Sequence, residues 1–215
     1  MKPTAGGHTF DVKAIAMTVD ESPEPRARSL APEKDARVRA LVRDHLDFTW
    51  RSLRRLGLPP DVADDAVQRV FVVVNAKLDS IKPGSERAFL FNTALRIASS
   101  EKRTFARRRE VMDGETADAV GDSAVAVDEQ LGRHQARAVL EDLLQELEMD
   151  MRAVFVLFEL EELSTVEIAA TLEIPMGTVS SRLRRARDEF QAAAKRYQAR
   201  SLSSGRGRTM HGAMR

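Results

Sequence analysis

The stretch Leu163-Ser164-Thr165-Val166-Glu167-Ile168-Ala169-Ala170-Thr171-Leu172-Glu173-Ile174-Pro175-Met176-Gly177-Thr178-Val179-Ser180-Ser181-Arg182-Leu183 decides the fold. Ser164 and Glu167 have the spacing of a capping box, in which hydroxyl and carboxylate each take a free amide at a helix start. Ile168 and Leu172 then share the buried side of that helix. Ile174-Pro175 forces a turn, because proline lacks an amide donor and biases the preceding residue away from the helical region. Thr178 is the expected cap of a second helix, whose Val179, Leu183, Ala186 and Phe190 face inward at spacings of three and four. Two helices around such a turn read as a helix-turn-helix.

The inward face of the second helix fixes its outward one. Ser180, Ser181, Arg184, Arg185 and Asp188 must point away from the core, where a recognition helix carries its base-reading groups. Arginine pairs bidentately with guanine edges, serine donates or accepts, and Arg182 and Arg187 are placed to hold phosphates. A helical hairpin with a solvated charged face is the plainer alternative. The coincidence of capping box, Ile-Pro turn and serine-arginine ridge favours DNA binding.

Upstream, Leu140, Leu143, Leu144 and Leu147 form one apolar stripe, and Val154, Phe155, Leu157 and Phe158 a second. Between 113 and 132 come small, acidic and glycine residues with weak periodicity, the composition of an exposed connection. Before it, three helical patterns follow one another. The first runs from Glu33 through Val38, Leu41, Val42, Leu53 and Leu56 to the stop Gly57-Leu58-Pro59-Pro60. The second has Asp61 as its expected N-cap, Asp64 and Asp65 in its first turn, and Ala63, Val67, Val70, Phe71, Val74 and Leu78 on one face. The branched run Val70-Phe71-Val72-Val73-Val74 favours a strand by propensity, but helical spacing extends on both sides of it. After a turn at 79–85, with Pro83-Gly84 inside, the third helix passes Phe89, Leu90, Thr93, Ala94, Ile97 and Ala98 into the basic run 102–109.

Charge sorts by position more than by total. The 215 residues carry 34 Lys and Arg against 33 Asp and Glu, so a near-neutral sum conceals basic clusters at 102–109, 182–187 and in the tail from Lys195, and an acidic stretch at 113–129 with no basic residue. There is no cysteine, which excludes disulfides, thiol catalysis and thiolate metal sites. The histidines at 8, 45, 134 and 211 lack ligand spacing, and no nucleophile, phosphate loop or dinucleotide motif stands out. No metal, cofactor or small-molecule substrate is expected. Neither a signal segment nor an apolar run of about 18 residues occurs, so a cytoplasmic chain without membrane insertion is the expectation.

Residues 140–197 resemble the domain that reads the minus-thirty-five element in bacterial RNA polymerase sigma factors, above all in Ile174-Pro175-Met176-Gly177-Thr178-Val179-Ser180-Ser181-Arg182-Leu183-Arg184-Arg185-Ala186-Arg187. Quorum-type response regulators share Glu-Ile-Ala and Thr-Val at comparable spacing, and the first half breaks the tie. Asp64-Asp65-Ala66-Val67-Gln68-Arg69-Val70-Phe71 is similar to the sigma motif that docks on the coiled-coil clamp of the polymerase largest subunit. This implies polymerase-binding roles for Asp64, Asp65, Gln68 and Phe71; Arg69 stands where the family usually has an acidic residue. Glu86-Arg87-Ala88-Phe89-Leu90-Phe91, followed by Ala94 and the basic run, resembles the segment that opens and holds the minus-ten element. Aromatics interleaved with cations suit single-stranded bases.

The resemblance thus implies minus-ten contacts from Lys82, Ser85, Arg87, Phe89, Arg96, Lys102 and Arg103. Base capture falls to the loop 82–85, and Phe89 and Phe91 are expected to be mostly packing. The family's common tryptophan is Phe89 here and its Arg-Asn pair reads Leu95-Arg96. At the minus-thirty-five element it implies Thr178, Ser180, Ser181, Arg182, Arg184, Arg185 and Arg187. The linker of family members threads toward the RNA exit path, which would make 113–129 an acidic mimic of RNA; a solvated tether is the alternative.

The expected architecture is all-α: two small helical domains joined by a flexible acidic linker, the second containing the helix-turn-helix. The divisions are a disordered extension at 1–32, a first domain at 33–110, the linker at 111–132, a second domain at 133–200 and a disordered basic tail at 201–215. The economy of two domains is that of the extracytoplasmic-function group, with core RNA polymerase, promoter DNA and an anti-sigma protein as implied partners and no catalysis of its own. A free-standing helix-turn-helix regulator that never engages polymerase is the alternative.

Overall fold

The computed structural model describes the backbone of residues 31–111 and 129–209. Residues 1–30 of the expected extension at 1–32, the linker core at 112–128 and residues 210–215 lie outside the described residues. Every regular element among the described residues is helical. Helix α1 spans Ala31–Arg55, α2 Pro60–Lys77 and α3 Glu86–Val111. Helix α4 spans Glu129–Gln145 and α5 Met149–Phe155, the latter running on into a π turn at Val156–Leu160. Helix α6 spans Thr165–Leu172 and α7 Met176–Thr209.

The stop after α1 is a Schellman motif. Gly57 takes φ +97, its amide donates to the Arg54 carbonyl at 2.9 Å and the Leu58 amide to the Leu53 carbonyl at 3.1 Å. Leu53 and Leu58, both buried, supply the apolar contact that accompanies this closure. The chain then re-enters a helix through Pro59-Pro60. Pro59, not Asp61, is the N-cap of α2, and no side chain caps it. Proline at the first helical position forfeits no bond, since that amide would be orphaned anyway, which leaves Asp61 in the first turn facing the positive helix end. The valine-rich run is helical, with Val70, Phe71 and Val74 buried: packing of one helical face overrides strand propensity.

Every expected boundary moves: Ala31 and Pro32, assigned above to the extension, already belong to α1. Residues 129–132, assigned above to the linker, already belong to α4, and Val111 still belongs to α3. The tail composition at 201–208 predicts an end to α7 near 200, yet the helix continues to Thr209. Extending an established helix costs no new nucleation, so a weak sequence is carried along by the turns before it.

The apolar core is one contiguous cluster that runs through both described stretches. It takes in Leu53, Leu56, Val67, Phe71, Leu90 and Phe91 from the first, and Leu144, Leu157, Ile168, Val179 and Leu183 from the second. The helices of the first stretch pack on one another, as do α5 and α7 of the second, where Phe155 and Phe190 stack at 4.8 Å. Helix α4 also packs on α1, and α6 on α3. The two halves therefore meet through α1 with α4 and α3 with α6.

Candidate nucleic-acid interface

The helix-turn-helix forms from the bonds its sequence predicts. The Glu167 amide donates to Ser164 Oγ at 3.3 Å and the Ser164 amide to Glu167 Oε2 at 2.8 Å, a complete capping box. Hydrogen bonds from the Ser164 hydroxyl and amide hold the Glu167 carboxyl below the usual carboxylate range. Ile168 is buried and Leu172 partly so, with Thr171 taking the second buried place on that face. Glu173 closes α6 at φ 55, a left-handed conformation that costs a non-glycine residue about 1 kcal/mol, and the Ile174 amide reaches the Ala169 carbonyl at 3.1 Å.

Helix α7 begins at Met176, two residues before the expected cap. The amides of Thr178 and Val179 already donate to the Pro175 carbonyl, at 2.9 and 3.1 Å, so Pro175 precedes the helix and Thr178 stands inside its first turn. Because proline's fixed φ suits a helix start, no hydroxyl is needed there. Val179, Leu183 and Ala186 are buried and Phe190 partly buried, so the ridge opposite them is exposed as expected: Ser180, Ser181, Arg184, Arg185 and Asp188.

The groups on that ridge differ in availability. Ser180 and Ser181 donate to the carbonyls of Met176 and Thr178, at 3.1 and 3.0 Å, leaving hydroxyl oxygens outward as acceptors. Arg184 lies 3.7 Å from Asp188 one turn on. Arg182 pairs with Asp150, and Arg187 pairs with Glu159 at 2.6 Å while covering the Phe158 ring at 4.8 Å. Arg185 projects without an ion pair among the described residues. The ridge can thus offer one free and one lightly held guanidinium to a groove, flanked by two that must exchange a surface carboxylate for a phosphate.

The residues expected at the minus-ten element divide into two groups. Phe89, Arg96 and Arg103 repeat every seven residues along α3 and share one side of it, with Phe89 half-buried and both arginines exposed. Phe91 is fully buried, in keeping with a packing role. Lys82 and Ser85 sit in the loop before α3, where the Ser85 hydroxyl and amide close a turn on the Lys82 carbonyl, at 2.7 and 3.0 Å. Arg87 and Lys102 turn instead toward the C-terminal half. Arg87 stacks over Phe48 at 4.5 Å and pairs with Glu161 at 2.5 Å. Lys102 lies beside Arg152, and burial first, then the charge of Arg152, draws its ammonium down to about 8.

On α2 the expected polymerase contacts do not share a face. Asp65 and Gln68 are exposed, Asp64 accepts from Trp50 Nε1 at 2.8 Å, and Phe71 is 0% exposed, within the core. Phe71 is therefore corrected from contact to core residue. Helical geometry puts Val72, 59% exposed, in line with Asp65, Gln68 and Arg69. The signal for Val72 was present in the spacing, since 65, 68, 69 and 72 fall within one stripe. Arg69 pairs with Glu101 on α3 at 2.5 Å, which gives the unusual positive charge a partner inside the fold.

Two residues of consequence went unsingled in the sequence. Arg152 sits in the buried run Met151-Arg152-Ala153-Val154-Phe155 and is 0% exposed. Its guanidinium donates to the carbonyls of Gln145 and Leu147 at 2.7 and 2.9 Å, and across the halves to that of Leu56 at 2.8 Å. These carbonyls lie at the ends of α4 and α1, where the helix dipoles are negative. Glu161 accepts from both Arg55 and Arg87. A charge amid apolar residues at 151–155 was the available sign of the first; nothing local marks the second.

Among the described residues no cluster of metal-ligating side chains occurs, and no helix is long and apolar enough to cross a membrane. Residues 137–190 match the family described as Sigma-70, region 4. Over 145 residues the chain is 34% identical to the RNA polymerase sigma-E factor of Streptomyces avermitilis, covering 67% of this chain and 78% of that one. It is 31% identical over 156 residues to the ECF RNA polymerase sigma factor SigE of Mycolicibacterium smegmatis, with 70% of this chain covered but 59% of that longer relative. Among solved structures it is similar to the sigma factor RpoE of Bartonella quintana in complex with the anti-sigma factor NepR, with TM-score 0.52, 30% identity, and coverage of 71% of this chain and 96% of that one. With the capped helix-turn-helix, the helices of residues 31–111 and relatives matched over most of their length, this chain belongs to the extracytoplasmic-function family of RNA polymerase sigma factors.

Proposed function

We propose that the chain binds core RNA polymerase and directs it to promoters, reading the minus-thirty-five element with α7 and holding the minus-ten element with α3 and the loop before it. The observation that carries this reading is the exposed ridge Ser180, Ser181, Arg184 and Arg185 on a capped helix-turn-helix, in a chain whose first half presents Asp65, Gln68 and Val72 along one exposed stripe of α2. The first is a major-groove reader; the second has the mixed polar and apolar character of a protein contact.

In this reading residues 33–110 form the polymerase and minus-ten module and 133–200 the minus-thirty-five module. Lys82, Ser85, Arg87, Arg96, Lys102 and Arg103 serve the melted strand, and Arg182 and Arg187 hold duplex phosphates. The chain acts in the cytoplasm as a specificity subunit and leaves catalysis to polymerase. An anti-sigma protein is its counterpart, as NepR is for the Bartonella protein. Run-off transcription with core polymerase, with and without the chain, tests the proposal. Specific initiation only in its presence is expected, whereas promoter binding without any effect on start-site selection would indicate a free-standing regulator.

A further inference from the structure

The surface between the halves joins the shared apolar core to ion pairs that set N-terminal cations against C-terminal carboxylates, with the buried Arg152 of the C-terminal half as the cationic exception. From the N-terminal half come Arg54, Arg55, Arg87 and Lys102; from the C-terminal half come Glu141, paired with Arg54, and Glu161. Glu161 places one carboxylate oxygen on Arg55 of α1 and the other on Arg87 of α3. Its side chain is 5% exposed, and both its ion-pair partners lie across the boundary. The backbone is shaped for this placement. The π turn Val156–Leu160 ends where the Glu161 amide meets the Val156 carbonyl at 3.1 Å, and Glu162 then takes φ 57, a conformation retained in non-glycine residues only where surrounding contacts enforce it. Asn92 of α3 donates to the Thr171 carbonyl of α6, and Arg152 to that of Leu56.

Arg87 and Lys102 are also two of the cations assigned above to the minus-ten strand. A guanidinium whose charge is already matched by a buried carboxylate attracts a phosphate less strongly, even though the Arg87 side chain is itself 56% exposed. We propose that Glu161 acts as an internal competitor for Arg87, so that the free chain closes on itself and captures single-stranded promoter DNA only when its halves part. The α7 ridge, with Arg185 exposed, stays accessible in the closed arrangement. Self-inhibition therefore falls on strand capture and spares duplex recognition. This proposal rests on the promoter-recognition reading for the role of Arg87.

The absence of cysteine from the chain makes the test direct. Dyes on Lys77→Cys and Ala192→Cys report the separation of the halves in the full chain, with and without Glu161→Gln. The substitution is expected to lower energy transfer and to raise affinity for oligodeoxythymidylate about threefold or more, as release of a strand-incompetent state requires. It should also steepen the salt dependence by about 0.7 for each cation freed. Unchanged transfer and unchanged affinity would overturn the proposal. A second arm joins Asn92→Cys to Thr171→Cys with a short bismaleimide. The closed, cross-linked chain should lose run-off transcription yet still bind promoter duplex, and equal transcription by linked and unlinked chains would also overturn self-inhibition. If the unlinked chain fails to direct core polymerase at all, the promoter-recognition reading fails instead.

Discussion

A β-carbon at Gly57 would lie 2.3 Å from Arg152 Nη1, the nitrogen that donates to the Leu56 carbonyl. The turn that ends α1 and the guanidinium that joins the two halves thus occupy adjoining space. Gly57→Ala is expected to destabilise the chain by about 2 to 4 kcal/mol, combining the strain of a positive φ with displacement of a buried charge. Gly84 supplies the control: it has φ +85 but open space around it, so Gly84→Ala should cost only about 1 to 2 kcal/mol of backbone strain. Urea unfolding of both variants checks this, and equal losses would remove the Arg152 contact from the account.

Lys102 makes the closed fold sensitive to alkaline pH. Its ammonium titrates at about 8 in the fold against 10.5 when free, so between those values the unfolded chain binds more protons than the folded one. Stability contributed through this group therefore rises as pH climbs from about 8 toward 10.5, and its burial cost is fully present below 8. Arg152, lowered to about 10 by burial, stays cationic through the lower part of that window. Lys102→Met should raise stability at pH 7 and flatten the pH dependence above 8, which thermal unfolding at a series of pH values measures.

Ser164→Ala removes the hydroxyl half of the capping box. A loss of about 1 kcal/mol is expected from the missing cap. Glu167 loses the larger of the two hydrogen bonds that lower its carboxyl pKa and keeps the one from the Ser164 amide, so the parent's stability advantage should be present above the ordinary carboxylate range and fade as pH falls through the lowered value. Comparing acid unfolding of parent and variant reads this directly.

Phe71 and Val72 are neighbours in sequence with opposite expected phenotypes. Phe71→Ala empties a fully buried site and should cost about 3 to 5 kcal/mol of stability. Val72→Asp alters an exposed position and should leave unfolding within about 0.5 kcal/mol of the parent, while weakening co-purification with core polymerase. Undiminished co-purification would take Val72 off the contact face.

Arg185→Ala should relax promoter choice and cost about 1 to 3 kcal/mol of binding if the side chain pairs with a base edge. Equal weakening on promoter and random duplex would make it a phosphate contact. Arg182→Ala, which also breaks the pair with Asp150, should weaken both duplexes alike and shallow the salt dependence by about 1.

Much of this was legible from residue order. The capping box, the Ile174-Pro175 turn and the inward set Val179, Leu183 and Ala186 are local, and local bonds with 3.6-residue periodicity suffice to place them. The errors were local too. Asp61 and Thr178 are good capping residues, but Pro59-Pro60 and Pro175 start their helices without a side-chain cap, because proline's geometry already suits the first turn. For Phe71 the periodicity, which sets it inward beside Val67, Val70 and Val74, agrees with its burial, whereas the motif likeness implied a contact role.

The sequence by itself determined which segments are helical, where the recognition ridge faces and which family the chain resembles, since these follow from spacing within a few turns of chain. Only the tertiary structure decided that Glu161 reaches Arg55 and Arg87, residues 106 and 74 positions away, and that Arg152 reaches the end of α1. Such pairings depend on how two helical halves dock. Docking is set by shape and by which buried charges must find partners, and neither leaves a periodic trace in the order of residues.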